Sequence, residues 1–303
     1  MKLLITGSSG LIGKRFYNNY KNSFSEVFCV TRSENCLPGA VKIDLSKNFE
    51  FNLEKVDVVL HTAAQTSTNR AYTDPLADLN TNVGGLIRII ENYRKQKIIP
   101  FVLFLGNATQ IGLTNNLEEA KHKKCDQPIT FYDLSKNTAE NYLLQYINAG
   151  LIQGCSLRLC NVYGTAGNRQ NSDRGILDKM MKRALDGHDL TVYGDGSYIR
   201  DYIHLDDVTQ SILAAVNSRE KLNGQIHVIG SGVGTTLKKA FEIVVDIAAK
   251  VTGQRVDINS VDPPENLSEI EFRSYVADST EFCEVTGWQP KLCLKEGLER
   301  SYC

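Results

Sequence analysis

The chain has 303 residues, with 34 Lys plus Arg against 35 Asp plus Glu and a formal net charge of -1. That balance leaves no electrostatic footprint for nucleic acid and no basic stripe for anionic lipid. At 42% hydrophobic and 23% charged residues the composition is that of an ordinary globular protein, and no window approaches the roughly 18 apolar residues a membrane span requires.

Taken in order, "KLLIT" (2–6) reads as a strand, followed by a Gly-rich turn and an amphipathic helix from Leu11 to Tyr20. The apolar run at the N-terminus is too short for a signal peptide. Strand-length apolar runs then alternate with helices: "VFCVT" (27–31), "VDVVLHTAA" (56–64), a helix from about Asn82 to Lys97, "IPFVLFLG" (99–106), a helix from about Phe131 to Ala149, and "GCSLRLCNVYG" (154–164). Continuous apolar runs separated by helices imply a parallel sheet covered on both faces, a doubly wound α/β fold. Ligands of such folds sit beyond the carboxyl ends of the strands.

After Gly164 the rhythm loosens. "NRQNSDRG" (168–175) is polar, Ile176 to Leu185 reads as a helix, and "VDPPEN" (261–266) is a Pro-rich connection. The expected division is a dinucleotide-binding domain over 1–164 and a smaller mixed α/β substrate domain over 165–303, with part of 190–230 returning to the main sheet. A second Gly-rich turn, "VIGSGVGTTL" (228–237), is read as a helix start capped by Thr235 or Thr236 rather than as a phosphate loop. The eight cysteines include no C-x-x-C pair, so they are read as reduced thiols of a cytoplasmic protein. "KHKKC" (His122 is its second residue, Cys125 its last) reads as a solvated loop, and no metal site is expected.

"LLITGSSGLIGKRF" places Gly7, Gly10 and Gly13 between a strand and a helix, with Ser9, Leu11 and Ile12 between them. Such glycines permit a tight turn and close approach of backbone to a pyrophosphate lying on the positive end of the helix. At the end of the second strand an acid would hold the ribose 2′-hydroxyl of NAD, whereas an Arg accommodates the 2′-phosphate of NADP. Thr31 and Arg32 stand there, with no acid before Glu34, which favours NADP(H) over NAD(H).

Together these segments resemble the extended short-chain dehydrogenase/reductase family, the nucleotide-sugar epimerases, dehydratases and reductases, over nearly the whole chain. "KIDL" resembles the segment carrying an Asp beside the adenine, here Asp44 with Leu45. "HTAAQTSTN" resembles the stretch under the cofactor, with Ala63 and Ala64, and "DPLADLNTNVGGLIRIIE" places Asn82 at the family's Asn position. "SLRLCNVYG", "LTVYGDGSYIRDYIHLDDV" and "VADSTEFCEVTGWQPKLCLKEGLERS" match later family segments. The resemblance implies a Rossmann sheet, a catalytic Tyr132 and Lys136 of Y-x-x-x-K, and contacts from Lys136 to the cofactor ribose. Residues i and i+4 share a helix face, so the ammonium can favour the tyrosinate while Tyr132 exchanges a proton with a sugar oxygen.

One departure stands out. Where the family has a Ser or Thr five residues before the Gly that ends the segment, "FLGNATQIG" has Asn107, with Thr109 the nearest hydroxyl. An amide donates a hydrogen bond but does not relay a proton, so either residue is a candidate third catalytic member. The resemblance also implies that Arg200 contacts a diphosphate, that Asn161 lies near the sugar phosphates and that Arg273 reaches the nucleotide. Asp201 is expected to orient its loop and His204 to be structural. The implied activities are a 4-keto-6-deoxysugar reductase or a sugar 4-epimerase. A 4,6-dehydratase fits less well, because Ala108 and Thr109 stand where that subgroup has Asp-Glu. A non-catalytic cofactor-binding protein is the alternative that Asn107 favours. A homodimer through helices near 82–97 and 131–149 is implied by the same resemblance.

Overall fold

The computed structural model describes residues 1–34, 37–49, 52–113, 125–164, 175–265 and 267–303. Cys36, His122 and the polar stretch 168–174 lie outside the described residues. Strands β1 (Lys2–Thr6), β2 (Glu26–Thr31), β3 (Val41–Lys42), β4 (Val58–His61), β5 (Phe101–Asn107), β6 (Gln153–Leu159) and β10 (Ile226–Ile229) form one parallel sheet in the order β10-β6-β5-β4-β1-β2-β3. The order reverses between β1 and β4, which opens a crevice at the carboxyl ends of those strands.

The apolar runs are explained by burial on both faces. Along β1, Leu3 and Ile5 face one core while Leu4 faces the other, and the same alternation carries through β4 and β5. One core is closed by Phe16 of helix α1 (Leu11–Tyr20) and by Val208 and Ile212 of a helix over Leu205–Asn217. The other is closed by Leu86, Ile89, Ile90 and Tyr93 of Gly85–Lys95, and by Ala139 and Leu143 of a helix over Phe131–Asn148.

Past residue 164 the chain adds a third core, in which Leu177 and Met181 of Ile176–Leu185 meet Phe241, Val244 and Val245 of Leu237–Thr252. Two small sheets accompany it. One joins β7 (Asn161–Tyr163), β9 (Ile199–His204) and β11 (Gly234–Thr236), and the other pairs β8 (Leu190–Tyr193) with β12 (Ile258–Val261). The Asp201 carboxylate ties these pieces together, accepting hydrogen bonds from the amides of Ser231, Gly232 and Ala277 and from the Ser231 hydroxyl at 2.7–3.1 Å. His204 caps the helix that follows β9, taking the Asp206 amide at 3.1 Å. Thr236 is the cap of the later Gly-rich turn, accepting from the Lys239 amide at 3.2 Å.

The elements depart from the sequence reading in three places. "GCSLRLCNVYG" is two strands: the chain leaves the main sheet at Cys160, whose amide donates to Ile229, and joins the small sheet at Asn161. Two short helices, Thr68–Thr73 and Pro75–Leu79, precede the helix expected from Asn82, and each has its own cap in Ser67 and Asp74, the latter with Pro at the first helical position. The expected helix itself begins at Gly85, after a wide π turn over Asn80–Gly84 that carries Asn82.

Candidate active site

Two cavities open at the carboxyl ends of the strands and meet at Thr62 and Ala64. The first to be considered, about 420 Å³, lies over the β1–α1 turn. Gly7, Ser9 and Gly10 form one wall, and Thr31 and Arg32 at the end of β2 another. Asp44 and Leu45, just past β3, close it, with Ala63 and Ala64 just past β4. Gly7 has φ of +68°, and a Cβ there would sit 2.7 Å from the Ala63 backbone, so only glycine allows the turn to pack on β4. Gly13 supports the turn from below, since a Cβ would stand 2.7 Å from the Gly7 carbonyl. Gly10 is the cap residue of α1 and offers no side-chain cap. The first amides of that helix are therefore left for a ligand, and the helix dipole favours an anionic one. A dinucleotide pyrophosphate fits this cradle.

Thr31 is buried and joined to Ser9 through their hydroxyls at 2.5 Å, while Arg32 is exposed. Glu34 pairs with Lys42 at 2.8 Å and does not line the cavity. Asp44 accepts from the Ser46 amide and hydroxyl at 3.0 and 2.7 Å. Burial pushes its carboxyl up, but those bonds and the nearby Arg32 charge outweigh it and hold the group below its usual range. Leu11 and Gly13 do not line either cavity, and Ile12 lines the second.

Asn82 is buried but spends its amide internally. It accepts from Gln65 and donates to the Gln65 carbonyl, Asp78 and Ser135 at 2.8–3.1 Å. The side chain fixes the floor after β4 against the helix of Tyr132, and so acts on the cavity through other residues.

The second cavity, about 430 Å³, brings together Asn107, Thr109, Tyr132, Lys136, Asn161 and Arg200, with Arg273 on its rim. Tyr132 and Lys136 lie one turn apart on Phe131–Asn148 and are only 5% and 4% exposed. A buried ammonium is costly unless its surroundings compensate. The Lys136 Nζ sits 4.0 Å from the Phe104 ring centroid, a cation–π contact. His61 stacks against the same ring and bonds the Thr6 hydroxyl at 3.0 Å. Burial, with the Lys136 charge adding, pulls the His61 imidazole down to about 3, so it stays neutral beside the lysine.

The segment after β5 answers the question of the missing hydroxyl in an unexpected way. Asn107 and Thr109 both donate to Asp133, a fully buried carboxylate on the residue after Tyr132. Thr130 caps the helix, accepting from the Asp133 amide at 3.1 Å and donating to its other oxygen at 2.6 Å. Sequence reasoning passed over Asp133, although the T-x-x-D pattern from Thr130 is a helix-start signature. Behind it, Gln110 links the Asn107 amide to Glu140, which also takes Ser156 and Arg158.

On the substrate side, the Arg200 guanidinium is buried and donates to the carbonyls of Ile199, Glu271 and Arg273. It thereby pins the 269–273 turn over the cavity. Tyr202, also unnoticed in the sequence, is buried beside it, and its hydroxyl has no partner among the described residues. Asn161 begins β7 and is half-buried on the wall. Among the described residues no three His, Cys, Asp or Glu side chains could hold a metal ion.

A sequence model of the NAD dependent epimerase/dehydratase family matches residues 3–230. The chain belongs to that family. A UDP-glucose 4-epimerase of Mycolicibacterium smegmatis is 29% identical over 82% of this chain and 75% of its own length. A GDP-6-deoxy-D-mannose reductase of Pseudomonas aeruginosa is 24% identical over 98% and 94%. Among solved structures, a UDP-glucose 4-epimerase with UDP-glucose from Thermotoga maritima superposes with a TM-score of 0.83 at 25% identity, covering 100% of this chain and 97% of the other. The epimerase/dehydratase fold thus spans the small domain as well as the sheet.

The buried His61 generates a pH dependence. The unfolded chain takes up this proton near 6.5 and the folded chain only near 3. Stability present above pH 6.5 is therefore lost as the pH falls toward 3. Between pH 7 and pH 5 this group alone costs about 2 kcal/mol. Urea midpoints at the two pH values should differ less in His61→Gln than in the native protein.

Proposed function

We propose that this protein is a cytoplasmic NAD(P)-dependent enzyme acting on a nucleoside diphosphate sugar, either as a 4-epimerase or as a 4-keto-6-deoxysugar reductase. The observation that carries the reading is the buried Tyr132–Lys136 pair, set in a cavity that meets the one over the β1–α1 turn at Thr62 and Ala64. Relatives bearing both kinds of name align over most of the chain. All seven described cysteines are free, which suits a reducing compartment.

A nicotinamide dinucleotide, held on the amides of α1, supplies the hydride acceptor or donor when bound. Tyr132 takes the proton from the sugar hydroxyl during oxidation and returns one to the carbonyl oxygen during reduction. A cationic Lys136 one turn away favours the tyrosinate, so the phenol can work near neutral pH. Tyr202 offers a hydroxyl unpartnered among the described residues, and Arg273 and Asn161 polar groups, to the substrate's nucleotide and sugar. The second reading, a non-catalytic cofactor-binding protein, is favoured by Asn107 in place of a hydroxyl. Tyr132→Phe separates the two: kcat should fall by about 100- to 10,000-fold while cofactor affinity is kept. Unchanged turnover of an accepted sugar nucleotide would remove the catalytic assignment.

The preferred cofactor is NADP(H). The end of β2 presents Thr31, Arg32 and Ser33 to the cavity, and Glu34 is turned to Lys42. Arg32→Ala should weaken NADP(H) binding by about tenfold and leave NAD(H) nearly unchanged. Equal losses for both cofactors in calorimetry would overturn the preference.

A homodimer is proposed on the outer face of Phe131–Asn148. Phe131, Leu134 and Tyr142 are exposed there, next to Tyr72 and Leu76, which are 76% and 64% exposed. The helix Gly85–Lys95 shows solvent the charged Arg94 and Lys95 instead. The Tyr72 and Phe131 rings lie 6.4 Å apart, and exposed apolar patches mark association surfaces. Sedimentation should give a dimer for the native chain and a monomer for Leu76→Asp with Leu134→Asp.

A further inference from the structure

We propose that Asp133 is a positioning residue that fixes the Asn107 amide so that its second N–H donates to the reacting oxygen of the substrate. The inference rests on the functional reading above and names how that site replaces its absent hydroxyl.

The orientation of Asn107 follows from its neighbours. Its Oδ1 accepts the Thr109 amide at 3.2 Å, and its Nδ2 donates to Asp133 at 3.1 Å. The flipped amide would set Oδ1 against a carboxylate and NH₂ against an N–H, so only one arrangement bonds on both sides. The primary amide has a second hydrogen, and no described protein group takes it. Asn107 lines the same cavity as Tyr132 and is half-buried there.

Thr109 is committed differently. Its only hydroxyl proton goes to Asp133, so toward a ligand the oxygen can accept but not donate. A carbonyl oxygen in the cavity needs donors, and Tyr132 and Asn107, which both line it, carry an O–H and an N–H. The carboxylate that orients Asn107 is itself held by Thr130 and has no exposure to solvent. A donor fixed in this way before the substrate arrives stabilises charge developing on oxygen without reorganisation. An amide cannot relay a proton, so every proton transferred to the substrate passes through Tyr132.

The test compares steady-state kinetics of the cofactor-loaded native protein with Asn107→Ala, Thr109→Val, Asp133→Leu and Asp133→Asn. Asn107→Ala should lower kcat by about 100-fold with KM within about threefold, whereas Thr109→Val should cost less than about fivefold. Asp133→Leu should match Asn107→Ala and add nothing in the Asn107→Ala background, because both remove one interaction. Asp133→Asn retains an acceptor for both donors and should keep most of the activity. Native-like turnover by Asn107→Ala, an equal loss in Thr109→Val, or additive losses would overturn the proposal.

A second arm needs no turnover. In protein labelled with nitrogen-15 at asparagine, the Asn107 side-chain amide should shift in Asp133→Leu, and in Asp133→Asn should the former fail to fold. An unmoved signal refutes the positioning role. If the native protein turns over no sugar nucleotide, the functional reading and the donor role fail together, while the amide signal still decides whether Asp133 holds Asn107.

Discussion

Burying the ammonium of Lys136 constrains the whole carboxyl edge of the sheet. The charge sits 4% exposed with the Phe104 face below it, and His61 beside it is kept neutral by burial and by that same charge. Those two aromatic rings belong to β4 and β5, so the central strands and the helix of Tyr132 must meet at one depth. Tyr132 is carried one turn earlier on the same helix face and inherits its position from that fit. A charged group held where water is scarce acts more strongly on a neighbouring phenol than it would at the surface.

A second carboxylate shapes the other side of Tyr132. Asp133 collects Asn107, Thr109 and Thr130, joining the end of β5 to the start of the helix. Farther back, Glu140 collects Gln110, Ser156 and Arg158, and Arg158 reaches Asp126 at 2.6–2.8 Å. Buried polar groups are tolerable only when satisfied, and networks of this kind rigidify what they join. The small domain uses the same device, with Asp201 gathering the 231–232 and 277 backbone segments and Arg200 holding the 269–273 turn. The cavity wall is thereby built largely from side chains held by internal hydrogen bonds.

What could be read from the sequence was periodic or punctuated. Apolar runs between helices revealed the parallel sheet, because each strand is buried on both faces, and the three glycines revealed the turn over α1. Boundaries set by long-range contacts were not legible. Nothing in "GCSLRLCNVYG" signals that Cys160 leaves one sheet for another, since the partners Ile229 and Tyr202 lie far along the chain. Asn107 was visible as a departure from its family, but its partner is 26 residues away and the pairing is a product of the fold. Asn82 and Arg200 were expected to touch ligands directly; Asn82 lines neither cavity and bonds Gln65, Asp78 and Ser135, while Arg200 lines one cavity and also bonds neighbouring carbonyls. The short helices before Gly85 had readable caps in Ser67 and Asp74-Pro75, and were passed over because neither is long enough to show a 3.6-residue period.

The central claim is that a hydride moves directly at a sugar carbon while Tyr132 handles only the proton on oxygen. A nucleotide sugar carrying deuterium at the reacting carbon, turned over in ordinary water, tests it most directly. The account predicts that the label appears on the cofactor or returns to the same carbon, with none lost to solvent. Loss of the label to water would show that the carbon is deprotonated instead, and would contradict the mechanism built on Tyr132 and Lys136.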